Sequence, residues 1–336
     1  MSKQTPPIVL KKKYPLSKNL KERINYYRNN LWNITLGKDK RIIIFLGPCS
    51  ITSVDEAKEY ANWLKEQSKK FQDKLFLVMR VYIEKSRTTI GWKGFLNDPD
   101  LSGKEDMEKG IDLSRKLFRD LTLLGIPVAT EFVSVRAPTY LSDFISWAAI
   151  GARTAGSQIH RELVSSLQIP VGWKNNLSGN VDVAINSIIA SAAPTIFEGI
   201  DDSGNITLDE TPGNKRTNVV LRGGENGPNY SKENIELISK KLKEKKLLPR
   251  VIVDCSHDNS KKDYKNQPII FKNLIDQIKE SKKSGKENPI FGIMLESYIK
   301  EGSQPFPGRI KGVSMTDSCI SIKTTEELLD YAYKNL

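Results

Sequence analysis

"RIIIFLGPCSITSVDEAKEYANWLKEQSKKF", residues 41–71, runs from an apolar segment through a Gly-Pro pair into a stretch with helical period. Ser53, followed three residues later by Glu56, forms a capping box that marks where the helix begins. One apolar strand followed by one capped amphipathic helix is a βα unit. Seven further apolar runs follow: "LFLVMRVY" (75–82), "IPVATEF" (126–132), "WAAIGAR" (147–153), "IPVGWK" (169–174), "PTIFEG" (194–199), "RVIVDCSH" (250–257) and "IFGIMLE" (290–296). Strands of this kind laid parallel and joined by crossover helices predict a closed (β/α)8 TIM barrel over residues 1–336, as one domain. An open doubly wound sheet is the alternative, but the glycine fingerprint of a dinucleotide fold is missing after the first strand.

Two regions interrupt the alternation. Residues 1–40 form an N-terminal extension, with a helix from Ser17 that sets Leu20, Ile24, Tyr27 and Leu31 on one side, expected to pack on or across the barrel. Residues 200–221 carry turn signals at "SGN" and "PGN" and predict a β-hairpin inserted after strand six. Thr324 with Glu327 predicts the start of the closing helix.

The chain's 52 Lys+Arg against 40 Asp+Glu give a net charge of +12, which concentrates anions near the surface without naming one. Lysine runs at 11–13 and 240–246 read as solvated faces, and no stripe of basic and aromatic residues marks a nucleic-acid surface. The 3 cysteines lie far apart, against a disulfide framework and for a reducing compartment. No stretch is long and apolar enough for a membrane span, and the first residues lack a signal sequence, so the expected location is the cytoplasm.

Barrel chemistry collects at the carboxyl ends of the strands. The first polar residues there are Cys49, Arg80 with Lys85, Glu131, Arg153, Lys174, Arg222, His257 and Glu296. Arg80, Lys85, Arg87, Lys93, Arg153, Lys174 and Arg222 are an excess of cations that calls for anionic ligands, phosphate and carboxylate being the simplest. Cys49, His257, Glu296 and, further on, Asp317 combine one sulfur, one imidazole and two carboxylates. That mixed set suits Mn, Fe, Co, Zn or Cu better than Mg. Their spacing is no metal motif by itself, and a small buried hydrophobe is the other reading of Cys49.

Nine ordered motifs, "LGPCSI", "MRVYIEKSRTTIGWKG", "ATEF", "IGART", "SQIHREL", "VGWKN", "LRGG", "DCSHDNS" and "SMTDSCI", resemble those of the class I microbial 3-deoxy-D-arabino-heptulosonate 7-phosphate (DAHP) synthases. The resemblance runs from about residue 6 to the C-terminus. It implies condensation of phosphoenolpyruvate with erythrose 4-phosphate, the first step of the shikimate pathway, in a metal-dependent homo-oligomer, dimer or tetramer. It places one divalent transition metal of the Mn, Fe, Co or Zn class on Cys49, His257, Glu296 and Asp317. Phosphoenolpyruvate falls to Arg80, Lys93, Arg153, Lys174 and Arg222, and the aldose phosphate to Lys85, Arg87 and Thr88. Lys174, Glu131 and His257 are the catalytic candidates, with Lys174 and Glu131 both open as the group that manages protons. His160 is expected to be structural or substrate-adjacent.

This sequence departs from the family pattern at several points. Ser86 stands where the family has a φ-fixing proline, which predicts a looser aldose loop, and Ala155 and Gly156 replace a commoner Thr-Glu pair. The family stretch matching "TPPIVLKKKYPLS" is normally preceded by further residues, including an acidic pair that helps bind an aromatic inhibitor, so the sequence leaves open whether feedback inhibition survives and by which aromatic amino acid. Within the same barrel and enolpyruvate chemistry, 3-deoxy-octulosonate 8-phosphate synthase is the competing substrate reading. A Schiff-base aldolase using Lys174 competes on mechanism, and an anion- or nucleic-acid-binding protein is the non-catalytic alternative.

Overall fold

The computed structural model describes residues 4–308 and 310–336. Its strands in chain order are β1 (Ile42–Gly47), β2 (Leu75–Arg80), β3 (Val128–Glu131), β4 (Trp147–Ile150), β5 (Val171–Lys174), β6 (Thr195–Ile200), β7 (Ile206–Thr211), β8 (Thr217–Leu221), β9 (Val251–Asp254), β10 (Ile290–Tyr298) and β11 (Ile320–Ser321). The helices are α1 (Pro7–Lys13), α2 (Lys18–Thr35), α3 (Val54–Phe71), α4 (Met107–Leu124), α5 (Ala137–Leu141), α6 (Gln158–Ser166), α7 (Asp182–Ser191), α8 (Lys232–Glu244), α9 (Gln267–Lys283) and α10 (Ile322–Asn335). Parallel pairs run β1-β2-β3-β4-β5-β8-β9-β10, and β10 pairs back onto β1. The sheet therefore closes into an eight-stranded parallel barrel with helices between its strands, the TIM-barrel architecture.

The local signals act as expected at two helix starts. Ser53 accepts from the Glu56 N–H to cap α3, and Ser17 accepts from the Leu20 N–H to cap α2. At the last helix the cap is Ser321, which accepts from the Thr324 N–H, so Thr324 lies inside α10 rather than opening it. Tyr27, Leu31 and Ile34 of α2 join one buried cluster with barrel-interior side chains including Phe45, Phe76, Trp147 and Phe291. Arg28 donates to the Ser142 and Ile145 carbonyls, and Arg250 to those of Ile34 and Thr35, tying the middle and the C-terminal end of α2 down.

The sixth apolar run is not a barrel strand. Residues 195–200 form β6, the first arm of an antiparallel hairpin with β7, and the sixth barrel strand is β8. The hairpin exists, but it occupies 195–211 rather than 200–221 and precedes the sixth barrel strand. Burial explains the difference: β8 is buried along its whole length, whereas alternate residues of the hairpin face solvent, with Ile196, Ile206 and Leu208 at 64%, 78% and 76% exposure. Among the described residues no helix is long and apolar enough to cross a membrane.

Candidate active site

The carboxyl ends of the barrel strands open into a cavity of about 470 Å³. Cys49 stands just past β1, Arg80 ends β2, Glu131 ends β3, Lys174 ends β5, Arg222 follows β8, His257 follows β9 and Glu296 lies near the end of β10. Lys85, Arg87 and Thr88 come from the loop after β2, Arg153 from that after β4, and Asp317 from the segment between β10 and β11. All these expected residues line the one cavity. Lys93 does not: its ammonium pairs with Glu105 at 2.7 Å on the outer surface. The loop closes on itself where the Lys85 N–H donates to the Lys93 carbonyl, and Lys93's side chain leaves toward Glu105.

Close backbone approach shapes the first two strand ends. Gly47 has φ +154°, and a Cβ there would meet the Arg80 carbonyl at 2.4 Å, so only glycine lets β1 end against Arg80. Arg80 is wholly buried and packs over the Tyr82 ring at 4.1 Å. Its Nη2 donates to Glu296 Oε1 at 3.1 Å, while Nε and Nη1 are buried with no acceptor among the described residues. Buried donors left this way are costly unless a ligand accepts from them.

Lys174 is 3.3 Å from Glu131 Oε2 and 3.6 Å from Asp254 Oδ2. Burial, the largest single influence, would lower its pKa, but Glu131, Tyr82 and Asp254 together overcome it, so the ammonium form is favoured. Burial would raise Glu131, yet Lys174 and then His257 hold its carboxyl below the usual range. The two form an ionised pair at the mouth.

His257 takes φ +59°, a turn uncommon outside glycine, asparagine, aspartate and histidine. Ser256 Oγ donates to Asp254 Oδ1 at 2.7 Å and so accepts from His257 Nδ1, also at 2.7 Å. Asp254 Oδ2 lies 3.0 Å from Nδ1 and acts on it by charge rather than through an aligned hydrogen bond. Nδ1 is therefore held by Ser256 and Asp254, and Nε2 is turned toward the cluster, 3.9 Å from Glu296 Oε1.

Cys49, Glu296 and Asp317 offer ligand atoms that all lie within 4.8 Å of one another, and His257 stands beside this triad. Cys49 Sγ and Asp317 Oδ2 are 3.5 Å apart. A tetrahedral ion with bonds of about 2.3 Å to sulfur and about 2.1 Å to oxygen would need roughly 3.6 Å, so the donors fit a transition metal in kind and in spacing. Burial, reinforced by Glu296, pushes the Cys49 thiol up to about 12. Burial would also raise Asp317, but Lys85, 2.9 Å away, holds that carboxyl well below the usual range.

Three site groups are missing from the expected set. Tyr82 lies under Arg80 and 5.7 Å from Lys174 Nζ. Asp254 faces His257 and Lys174. Glu84 accepts from the Val133 and Ser134 N–H groups, and burial pushes its carboxyl up to about 7 despite those bonds. A carboxylate closing an apolar run, as in "VIVD", is the signal that could have found Asp254, since a buried charge must have partners. His160 has both nitrogens engaged, Nδ1 with Ser157 Oγ at 3.0 Å and Nε2 with the Val133 carbonyl at 3.1 Å, which leaves none for a ligand.

A model of the DAHP synthetase I family matches residues 13–330. The chain is 43% identical over 334 residues to the Tyr-sensitive phospho-2-dehydro-3-deoxyheptonate aldolase of Escherichia coli strain K12, spanning 98% of this chain and 92% of that one. It is 41% identical over 336 residues to the phenylalanine-inhibited aldolase of Saccharomyces cerevisiae, spanning 97% and 89%. The solved structure of the aldolase from Francisella tularensis SCHU S4 matches with a TM-score of 0.96 at 41% identity, covering 100% of this chain and 97% of that one.

Proposed function

The chain belongs to the DAHP synthetase I family and is a DAHP synthase, and from that premise we propose that it condenses phosphoenolpyruvate with D-erythrose 4-phosphate in a metal-dependent reaction, releasing DAHP and phosphate. The observation that carries this reading is Arg80, whose buried Nε and Nη1 lack acceptors among the described residues while Arg153, Lys174 and Arg222 line the same cavity. A planar guanidinium with free donors fits the carboxylate or phosphate of an enolpyruvyl phosphate. Arg153 donates to Thr88 Oγ1 at 2.9 and 2.7 Å, so this pair joins the enolpyruvate end of the cavity to the aldose loop with Arg87 and Lys85.

C3 of phosphoenolpyruvate attacks the aldehyde carbon, whose oxygen takes up a proton to become a hydroxyl. Water adds at C2 with loss of a proton, and the C2–O bond to phosphate breaks, phosphate leaving with the electron pair as the new C2 hydroxyl gives up its proton to form the ketone. Glu131, held as a carboxylate, is the group able to take a proton from that water. Lys174, held as an ammonium, can return one to the leaving phosphate oxygen. A divalent transition metal of the Mn, Fe, Co or Zn class on Cys49, His257, Glu296 and Asp317 would supply Lewis-acid polarisation of the aldehyde oxygen. Asp254 and Ser256 hold His257 Nδ1, which keeps Nε2 turned toward Glu296. The raised Lys174 argues against Schiff-base chemistry, which needs a neutral amine.

We also propose that the enzyme is cytoplasmic and forms a homo-oligomer, dimer or tetramer. The exposed apolar residues Ile196, Ile206 and Leu208 on the hairpin support self-association. Light scattering of the purified chain decides that point.

The direct test is a chelator-treated assay that follows the loss of enolpyruvate absorbance. Activity should vanish with chelator, return with Mn²⁺, and favour erythrose 4-phosphate over arabinose 5-phosphate. Preference for the pentose would overturn the substrate, and activity indifferent to chelation would overturn the metal. Asp254→Asn keeps the shape but removes the charge facing His257 and Lys174. It should lower kcat/KM by about 10- to 100-fold and weaken Mn²⁺ binding; unchanged Mn²⁺ affinity would remove Asp254 from the support of His257.

A further inference from the structure

Lys85 comes from the loop assigned to the aldose phosphate, yet its ammonium lies 2.8 Å from Cys49 Sγ and 2.9 Å from Asp317 Oδ2. These are two of the donors proposed for the metal, 3.5 Å apart. The third, Glu296, already receives Arg80 Nη2 at 3.1 Å. Both carboxylates of the cluster are thus paired with a protein cation, and the Cys49 sulfur accepts from the same Lys85 ammonium. The two cations differ in freedom. Arg80 is wholly buried at the end of a barrel strand, pinned by Gly47 and the Tyr82 ring. Lys85 sits at the neck of an irregular loop, held by its backbone, with a flexible four-carbon stem and the exposed Arg87 and Thr88 two and three residues on.

We infer that Lys85 is an exchangeable counter-cation of the ligand cluster. Its ammonium and a divalent ion compete for Cys49 and Asp317, and the ion's arrival releases the ammonium toward the phosphate of the aldose substrate. This rests on the function proposed above and adds a coupling to it. Two cations cannot share one sulfur-oxygen gap without strong repulsion, and a displaced ammonium gains by meeting an anion. Metal and aldose phosphate should therefore promote each other's binding, by reciprocity to the same extent, through Lys85. The opposite role would be a lysine that donates a hydrogen bond to an already ligated sulfur. Such a lysine would help metal binding, so the sign of one substitution separates the two.

The experiment compares wild type, Lys85→Met and Lys85→Gln, each stripped of metal and checked for folding by circular dichroism. Mn²⁺ affinity is measured by calorimetry with and without erythrose 4-phosphate, and Co²⁺ uptake by sulfur-to-metal absorption. Both variants should bind Mn²⁺ about tenfold more tightly than wild type, the equivalent of losing one charge-assisted contact that the ion must otherwise break. Erythrose 4-phosphate should tighten Mn²⁺ binding in wild type by about fivefold or more and leave the variants unmoved. In chelator, Lys85→Met should melt below wild type, with Mn²⁺ closing the gap. Equal or weaker Mn²⁺ binding by the variants overturns the inference, as does coupling that persists in Lys85→Met. If wild type itself takes up neither Mn²⁺ nor Co²⁺, the metal part of the proposed function falls first and this inference falls with it.

Discussion

Lys174→Met lowers kcat/KM by about 10³- to 10⁴-fold while the protein stays folded, because it removes a buried cation that serves both anion binding and proton transfer. The ammonium is buried between Glu131 at 3.3 Å and Asp254 at 3.6 Å. The loss should divide between a higher KM for phosphoenolpyruvate and a lower kcat. A purely structural lysine would move neither in that proportion. The pH profile gives a second readout with a fixed sign. In wild type, Lys174 and then His257 hold the Glu131 carboxyl low against burial, so the carboxylate persists down to acid pH and is lost only as pH falls through that depressed value. Without Lys174, burial is the larger remaining influence, and the acid limb of the residual activity should move up toward neutrality. A loss within tenfold, or an acid limb that stays in place, would remove Lys174 from the chemistry.

What a sequence can disclose about such a site depends on whether a residue is fixed by periodic structure. Arg80, Glu131 and Lys174 each end a strand, and the strand pattern alone brings them to one mouth. The barrel was legible for the same reason: short apolar runs, Gly or Pro punctuation and capped helices agree on one architecture. Lys93 lies in a loop with no period, so nothing local tells that its side chain turns to Glu105. "PTIFEG" has strand composition, but its alternation of apolar with polar or glycine positions belongs to a half-exposed hairpin. The short "TNVVL", buried throughout, is the true sixth barrel strand. Ser321 was obscured by the equally plausible cap three residues on. Lys85 is the instructive intermediate: its presence in the cavity follows from the loop, whereas its contact with Cys49 needs three dimensions.

Arg115→Met should destabilise the protein by about 3–5 kcal/mol, the cost of breaking a buried charge pair, although Arg115 lies outside the cavity. Its side chain is wholly buried. It forks onto both carboxylate oxygens of Asp143 at 2.8 Å and donates to the carbonyls of Leu10 at 3.2 Å, Tyr14 at 3.1 Å and Tyr140. One guanidinium therefore joins Leu10 of α1 and the cap residue Tyr14 to α4, to Tyr140 in α5 and to Asp143 just beyond it. Methionine fills much of the volume but accepts none of these duties, leaving carbonyls and Asp143 without their donor. At about 2 cal/mol/K of unfolding entropy per residue, the melting temperature should fall by roughly 4–7 °C. Hydrogen exchange at residues 7–14 should quicken well beyond the rest of the chain, because their attachment is what the substitution cuts. Arg115→Lys should recover only part of the loss, since an ammonium cannot reproduce the paired fork. A melting temperature within 1 °C of wild type, or uniform exchange across the chain, would mean that the N-terminal segment is held by its apolar contacts, Leu10 foremost, and that the buried arginine is not its anchor.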